Sequence, residues 1–149
     1  VCWVLSYGII NDISHNKKQR GVFGTIGKDS FLRLWDSRSL GQGCSSLLPL
    51  NQIGAAVCRS SQSEHHIAGG MEDGCIHVVD TRTNAFVTSQ IDHSKRISAL
   101  VSSGSDDFLI SASVDRSILA QKFNSSDSQH KRYDMFPLLF FSMQKLFFI

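Results

Sequence analysis

Hydrophobic and polar positions alternate along this chain in short runs, and the alternation returns at a fixed interval. Laid side by side, residues 25–36 (TIGKDSFLRLWD), 69–80 (GGMEDGCIHVVD) and 111–122 (SASVDRSILAQK) each show a small residue, an aspartate four positions later, and then an alternating stretch. The aspartates Asp29, Asp73 and Asp115 are 44 and 42 residues apart, a spacing that suits a repeated unit of four short strands. Three residues after each comes Leu32, Ile76 or Ile118, and five after comes Leu34, Val78 or Ala120. A period of two puts these on one side of a strand, so the pattern predicts an apolar face in every copy. Residues 21–27, 66–71 and 108–113 predict a strand before each aspartate, and residues 10–14, 55–59 and 97–102 predict another. The stretches 37–46, 60–64 and 103–107 are rich in Ser, Gly and charge and are expected to be loops. No segment sustains a helical period.

Composition changes this picture little. With 149 residues, 42% hydrophobic and 19% charged, the chain is of ordinary globular type and long enough for one unit. A formal charge of +2 without long runs of either sign gives no footprint for nucleic acid or an anionic membrane, and neither is expected as a partner. The early basic cluster Lys17, Lys18 and Arg20 is expected to be a solvated turn. The cysteines Cys2, Cys44, Cys58 and Cys75 include no C-x-x-C pair, and no signal peptide precedes them. Reduced thiols and a cytoplasmic and nuclear location are therefore expected. The chain begins at Val1 rather than Met, which is read as a partial chain.

At Leu34-Trp35-Asp36, with the tryptophan and aspartate six and seven residues after Asp29, the repeat resembles WD40 repeats. The resemblance covers roughly residues 8–123. It implies an all-β fold, a WD40 β-propeller fragment of about three four-stranded antiparallel blades. The expected division is 1–7 as the end of a preceding blade, 8–50, 51–92 and 93–130 as blades, and 131–149 as an apolar, non-homologous tail. That tail, rich in Phe and Leu with Pro137, Gln144 and Lys145 as interruptions, is too broken for a membrane helix, has an edge strand as its alternative reading, and is expected to be aggregation-prone.

Two sets of polar residues stand out. His93, Ser111 and Asp115 combine the residue types of a nucleophilic triad. The chain has no G-x-S-x-G elbow, so no catalytic residue is assigned. In WD40 blades such residues form a buried hydrogen-bond network, which here would comprise His93, Ser111 and Asp115 with Thr25, Asp29, Trp35 and Asp73 in the other copies. The copies are degenerate: Tyr7 stands near the His position of the first, Gly69 and Val79 replace polar members in the second, and Gln121 stands where Trp belongs in the third. The second set is Asp36 with Arg38 and Asp80 with Arg82, at matching places after two third strands. It is expected to lie on one rim, either as a partner-binding surface or as a local turn ion pair. Cys75 and His77, and Glu64, His65 and His66, lack metal-site spacing, so no metal is assigned. No phosphate-binding loop occurs either, and no cofactor is expected.

Over the last two repeats the order GCIHVVDTRT (74–83), VTSQIDHS (87–94), ISALVS (97–102) and FLISASVD (108–115) resembles the methylosome protein 50 family. Its members are WD40 partners of the type II protein arginine methyltransferase and share these same departures from consensus. The resemblance implies a non-catalytic adaptor that binds the methyltransferase and presents Sm proteins and histones. It spans about three of the family's seven blades, and the first-blade region that grips the enzyme lies outside it, so no contact residue carries over. The paired D-x-R ends resemble those of substrate receptors that dock on the adaptor of a cullin-based ubiquitin ligase, which is the alternative function.

Overall fold

A computed structural model describes residues 8–15, 18, 20–39, 43–104, 108–123 and 131–134; the expected segment 1–7, and the tail beyond residue 134, lie outside the described residues. The described chain is all β, with no helix among these residues. Twelve strands run in order: β1 (Ile10–His15), β2 (Val22–Gly27), β3 (Phe31–Asp36), β4 (Ser46–Pro49), β5 (Gly54–Arg59), β6 (His66–Met71), β7 (Cys75–Asp80), β8 (Ala85–Ile91), β9 (Ile97–Ser102), β10 (Phe108–Ser113), β11 (Ser117–Lys122) and β12 (Lys131–Asp134). They form three four-stranded meanders: sheet I is β1-β2-β3-β4, sheet II is β5-β6-β7-β8, and sheet III is β9-β10-β11-β12. All pairings are antiparallel. β12 lies beyond residue 130, where the sequence-based division ended its third repeat, so the start of the expected tail is the outer strand of sheet III.

The three sheets share one turn geometry between their second and third strands. Between the second and third strands of each sheet, the backbone N–H of Ser30, Gly74 or Arg116 donates to the carbonyl three residues back. Those three residues have φ of 61°, 91° and 71°, the left-handed conformation that closes a three-residue hairpin loop. The preceding aspartate locks the turn. Oδ1 of Asp29, Asp73 and Asp115 accepts from the backbone N–H two residues on, at 3.3, 2.9 and 2.9 Å. This is the physical reason for an aspartate at each interval: its short carboxylate reaches its own backbone and stabilises the turn locally. Each sheet also carries a register shift at the same place in its first strand, beside Ile10, Gly54 and Ile97.

The sheets stack face to face. Ile26, Leu32, Leu34 and Leu48 of sheet I meet Val57, Ile67, Met71 and Val79 of sheet II in one core cluster. Ala56, Ala68, Ile76 and Val78 on the opposite side of sheet II meet Ile97, Leu100 and Leu109 of sheet III in a second. Sheet II is thus apolar on both sides, which explains the near-continuous hydrophobic run of β7 in place of a simple alternation. Close approach is permitted by glycine. A Cβ on Gly54 would fall on the side chain of Ile26, so the flat backbone of Gly54 is the seat for that isoleucine. The faces carrying Leu32 and Leu34, and Ile76 and Val78, are buried as the period predicts. In sheet III the matching residues Ile118 and Ala120 are only half-buried. They occupy the side turned away from sheet II, and the buried members of β11 are Ser117, Leu119 and Gln121.

Inner strand edges are capped by side chains of the neighbouring sheet. The backbone N–H groups of Val57 and Arg59 in β5 donate to Asp12 Oδ2 (2.8 Å) and Ser14 Oγ (3.0 Å) of β1. Ser61, just after β5, donates from its N–H to Ser102 Oγ of β9 at 3.0 Å. These bonds satisfy donors that the ladder of sheet II leaves open and tie β1, β5 and β9 side by side.

Candidate functional site

The structure brings His93, Ser111 and Asp115 together at the junction of sheets II and III. His93 Nε2 lies 2.8 Å from Ser111 Oγ, and Nδ1 lies 3.1 Å from Asp115 Oδ2 and 3.0 Å from Ser117 Oγ. Asp115 is the hub of the network. Its Oδ1 accepts from the hydroxyl and N–H of Ser117 at 2.6 and 2.9 Å, and its Oδ2 accepts from the N–H of Ser94 at 3.0 Å. Burial would push this carboxyl up, but the hydrogen bonds from Ser117, Ser94 and His93 outweigh it and hold it well below the usual carboxylate range. An ionised Asp115 can only accept, so His93 Nδ1 donates to it.

The connectivity matches that of a hydrolytic triad, yet its accessibility does not. Ser111 is 1% and His93 2% exposed, facing the packed side of the sheet. A nucleophile must meet a substrate carbonyl, and this hydroxyl has no approach. What the arrangement does is satisfy polar groups in a core and fix how the chain enters sheet III. Ser117 and Ser94 were not picked out from sequence. The available signal was a serine two residues past the turn aspartate, where Cys75 and Phe31 stand in the other copies.

Sheets I and II differ from sheet III at the matching places. In sheet I, Trp35 Nε1 donates to Thr25 Oγ1 at 2.8 Å in a buried bond, and the Trp35 ring stacks on Phe23 at 6.2 Å. Asp29 forms an ion pair with Arg33 at 2.6 Å, both side chains being 8% exposed, and the Arg33 guanidinium also lies over the Phe31 ring. In sheet II the polar set is absent: the turn role of Asp73 remains, Gly69 stands where sheet III has Ser111, and Leu50 stands where it has His93. The equivalence of Leu50 and His93 follows from the backbone, since Leu50 N–H donates to Ser30 O and His93 N–H to Gly74 O. Replacing both partners of a buried bond by apolar groups removes the penalty of leaving one unpaired.

The two D-x-R pairs lie after β3 and β7, at the strand ends opposite the aspartate turns. Arg38 Nη2 is 2.6 Å from Asp36 Oδ2 and its Nε 2.9 Å from Oδ1; Arg82 Nη2 is 2.9 Å from Asp80 Oδ2. In both, the arginine N–H also donates to the same carboxylate, at 3.0 and 2.9 Å. The hydrogen bonds of the arginine side chains, then of their backbone N–H groups, lower the Asp36 and Asp80 carboxyls to about 2. The arginine side chains remain 74% and 64% exposed.

Between these two turns, where sheets I and II meet, lies a cleft of about 360 Å³ lined by Asp36, Arg59, His65, Thr81, Arg82 and Asn84 among others. Ser46 Oγ of β4 bonds Asn84 Oδ1 at 2.7 Å across it. Arg59, 4% exposed, donates from Nη2 to the Glu64 carbonyl at 2.7 Å, and burial lowers its pKa from the ordinary value. Sequence reasoning missed Arg59 because nothing in its strand marks a buried cation.

Cys75 Sγ lies 3.8 Å from His77 Nε2. Burial raises the thiol pKa and lowers that of the imidazole, and the ring leans on Phe86 at 5.1 Å. Among the described residues no group of three or more His, Cys, Asp or Glu side chains is placed to hold a metal, and Glu64, His65 and His66 do not join Cys75 and His77 in one. No helix among these residues is long and apolar enough to cross a membrane.

No protein-family model matches the chain, and no curated protein matches it.

Proposed function

We propose that the chain is a non-catalytic WD40 scaffold for protein–protein interaction, its three sheets being consecutive blades of a β-propeller. The observation that carries this reading is the threefold recurrence of one hairpin. An aspartate bonded to the N–H two residues on is followed by a residue of positive φ, in sheets that stack with their first strands side by side. A blade of this kind spends its polar residues on its own geometry and offers its loops and rims to partners. Burial of Ser111 and His93 supports a structural rather than catalytic role for the network.

Within that class the methylosome adaptor is our reading: a cytoplasmic and nuclear subunit that supports arginine methylation of Sm proteins and histones by holding enzyme and substrates together. Its support is the resemblance over residues 74–115. The test is affinity purification from cell extract of the tagged protein together with whatever blades flank this chain. Co-recovery of the type II arginine methyltransferase with Sm proteins or core histones is the expected result. Recovery of a cullin-ligase adaptor without methyltransferase would overturn it in favour of a ligase substrate receptor. That second reading draws on the placement of Asp36 and Arg82 beside one cleft.

A further inference from the structure

We propose that β8, the outer strand of sheet II, is a self-association edge: it pairs with β8 of a second copy of this chain about a two-fold axis, joining two four-stranded sheets into one of eight. Sheet II ends at β8, and among the described residues no strand lies on its outer side. The N–H and C=O groups along that side are a template for a further strand. The sheets stack through their faces, so further sheets at either end of the stack would leave this edge open.

Among the three outer strands, β8 alone lacks the features that discourage edge pairing, which are short length, proline and charge. The outer strand of sheet I, β4, has four residues and closes on Pro49. That of sheet III, β12, also has four residues, and Lys131, Arg132 and Asp134 make it charged. The inner edge of sheet II is covered as well, since Asp12 and Ser14 accept from the N–H groups of Val57 and Arg59. In contrast, β8 has seven residues, Ala85–Ile91, with no charge and no proline. Its register shift lies toward its start, and Thr88–Ile91 pair without interruption with Cys75–Val78. Phe86, Val87 and Ile91 are 45%, 41% and 77% exposed, Ile91 more than any other large apolar side chain among the described residues. A further strand at this edge would take part of that surface out of water. The occupant these features fit is β8 itself. An uncharged strand meets no like charge in its own copy. A two-fold axis through the sheet generates an antiparallel pair of identical strands, so each apolar residue enters the seam twice. One strand pair is a small interface, and the dimer is accordingly weak and reversible.

The experiment is sedimentation equilibrium of the full chain over a range of concentrations, paired with amide hydrogen exchange of segment 85–91 read by mass spectrometry. A monomer–dimer equilibrium is expected, with exchange of 85–91 slowing as the dimer fills. Ile91→Lys sets like charges at the seam and withdraws an apolar side chain, and should weaken the dimer about tenfold and remove the slowing. Val87→Lys is a second edge substitution with the same expected effect, and circular dichroism checks that each variant is folded. Ile110→Lys should leave the dimer unchanged, because Ile110 lies opposite Ala120 on the side of sheet III turned away from sheet II. A chain that stays monomeric at every concentration overturns the proposal, as does a dimer that both edge variants leave intact. Dissociation by Ile110→Lys alone also overturns it, by moving self-association to the face of sheet III. Assemblies in which 85–91 exchanges as fast as in the dilute chain do the same.

Discussion

His93 Nδ1 lies 3.1 Å from the carboxylate of Asp115 across a hairpin, while the His93 backbone N–H is bonded to Gly74 in the turn of the preceding sheet. One residue thus joins the polar network of sheet III to the aspartate turn of sheet II. A connection of this kind sets the spacing and tilt between stacked sheets, which side-chain packing alone leaves softer.

His93→Ala is expected to destabilise the chain by about 1–3 kcal/mol, because it leaves buried hydroxyl and carboxylate groups short of a partner. Urea denaturation followed by tryptophan fluorescence measures it. A midpoint equal to the parent's would contradict the structural role assigned to the network.

The pH dependence follows from Asp115. Its folded pKa is depressed, so its contribution to stability is fully present above the unfolded value near 4 and is lost as pH falls through the folded value, well below the usual range. Acid unfolding of the parent should therefore steepen below about pH 4. Asp115→Asn should be less stable at neutral pH and flatter in that acid window, as measured by circular dichroism at a series of pH values.

Gly74 has φ of +91° and the His93 carbonyl packed where a Cβ would sit. Gly74→Ala is expected to cost about 1–3 kcal/mol through strain and displacement of that carbonyl. At the equivalent place in sheet III, Arg116 already bears the strain of a positive φ, so Arg116→Gly should be neutral or stabilise by up to about 1 kcal/mol. Thermal melts of the two variants check the opposite signs; a stabilised Gly74→Ala would refute the account.

Gly54→Val is expected to destabilise by roughly 1–3 kcal/mol, since its side chain would overlap Ile26 and push sheets I and II apart. A double variant with Ile26→Ala should recover part of the loss, and failure to do so would show that the two positions are not in contact.

For the exposed D-x-R pairs, Arg38→Ala should leave the melting temperature unchanged, because a surface ion pair contributes little. The carboxyl carbon of Asp36 should titrate near 2 in the parent and return to the ordinary aspartate range in the variant. An unshifted titration in Arg38→Ala would show that something other than Arg38 holds it down.

Much of this was legible in the chain, and the parts that were not share a cause. The turn aspartates and the second and third strands were visible because their requirements are local: a carboxylate that reaches its own backbone, and a period of two. The outer strands β4, β8 and β12 were not, since they are mostly exposed or short and carry no apolar alternation. His93, Ser111 and Asp115 were identified together, but Ser117 and Ser94, which complete their bonding, look like ordinary loop and strand serines. The ion pair of Asp29 with Arg33 is not legible either, because an arginine four residues on along a strand carries no local signal of burial.

The part written in the chain is a hairpin, two alternating strands about an aspartate turn, set at intervals of 44 and 42 residues. How the sheets meet is settled by packing and not by any local signal. Stacking buries the Ile76 face of sheet II under sheet III and leaves the equivalent Ile118 face half-covered. It seats Ile26 on Gly54 and sets Arg59 beneath a cleft beside Arg82. Contacts within a hairpin depend on neighbours in the chain and can be read from it, whereas contacts between sheets join residues about twenty to forty-five positions apart whose types are chosen for one another.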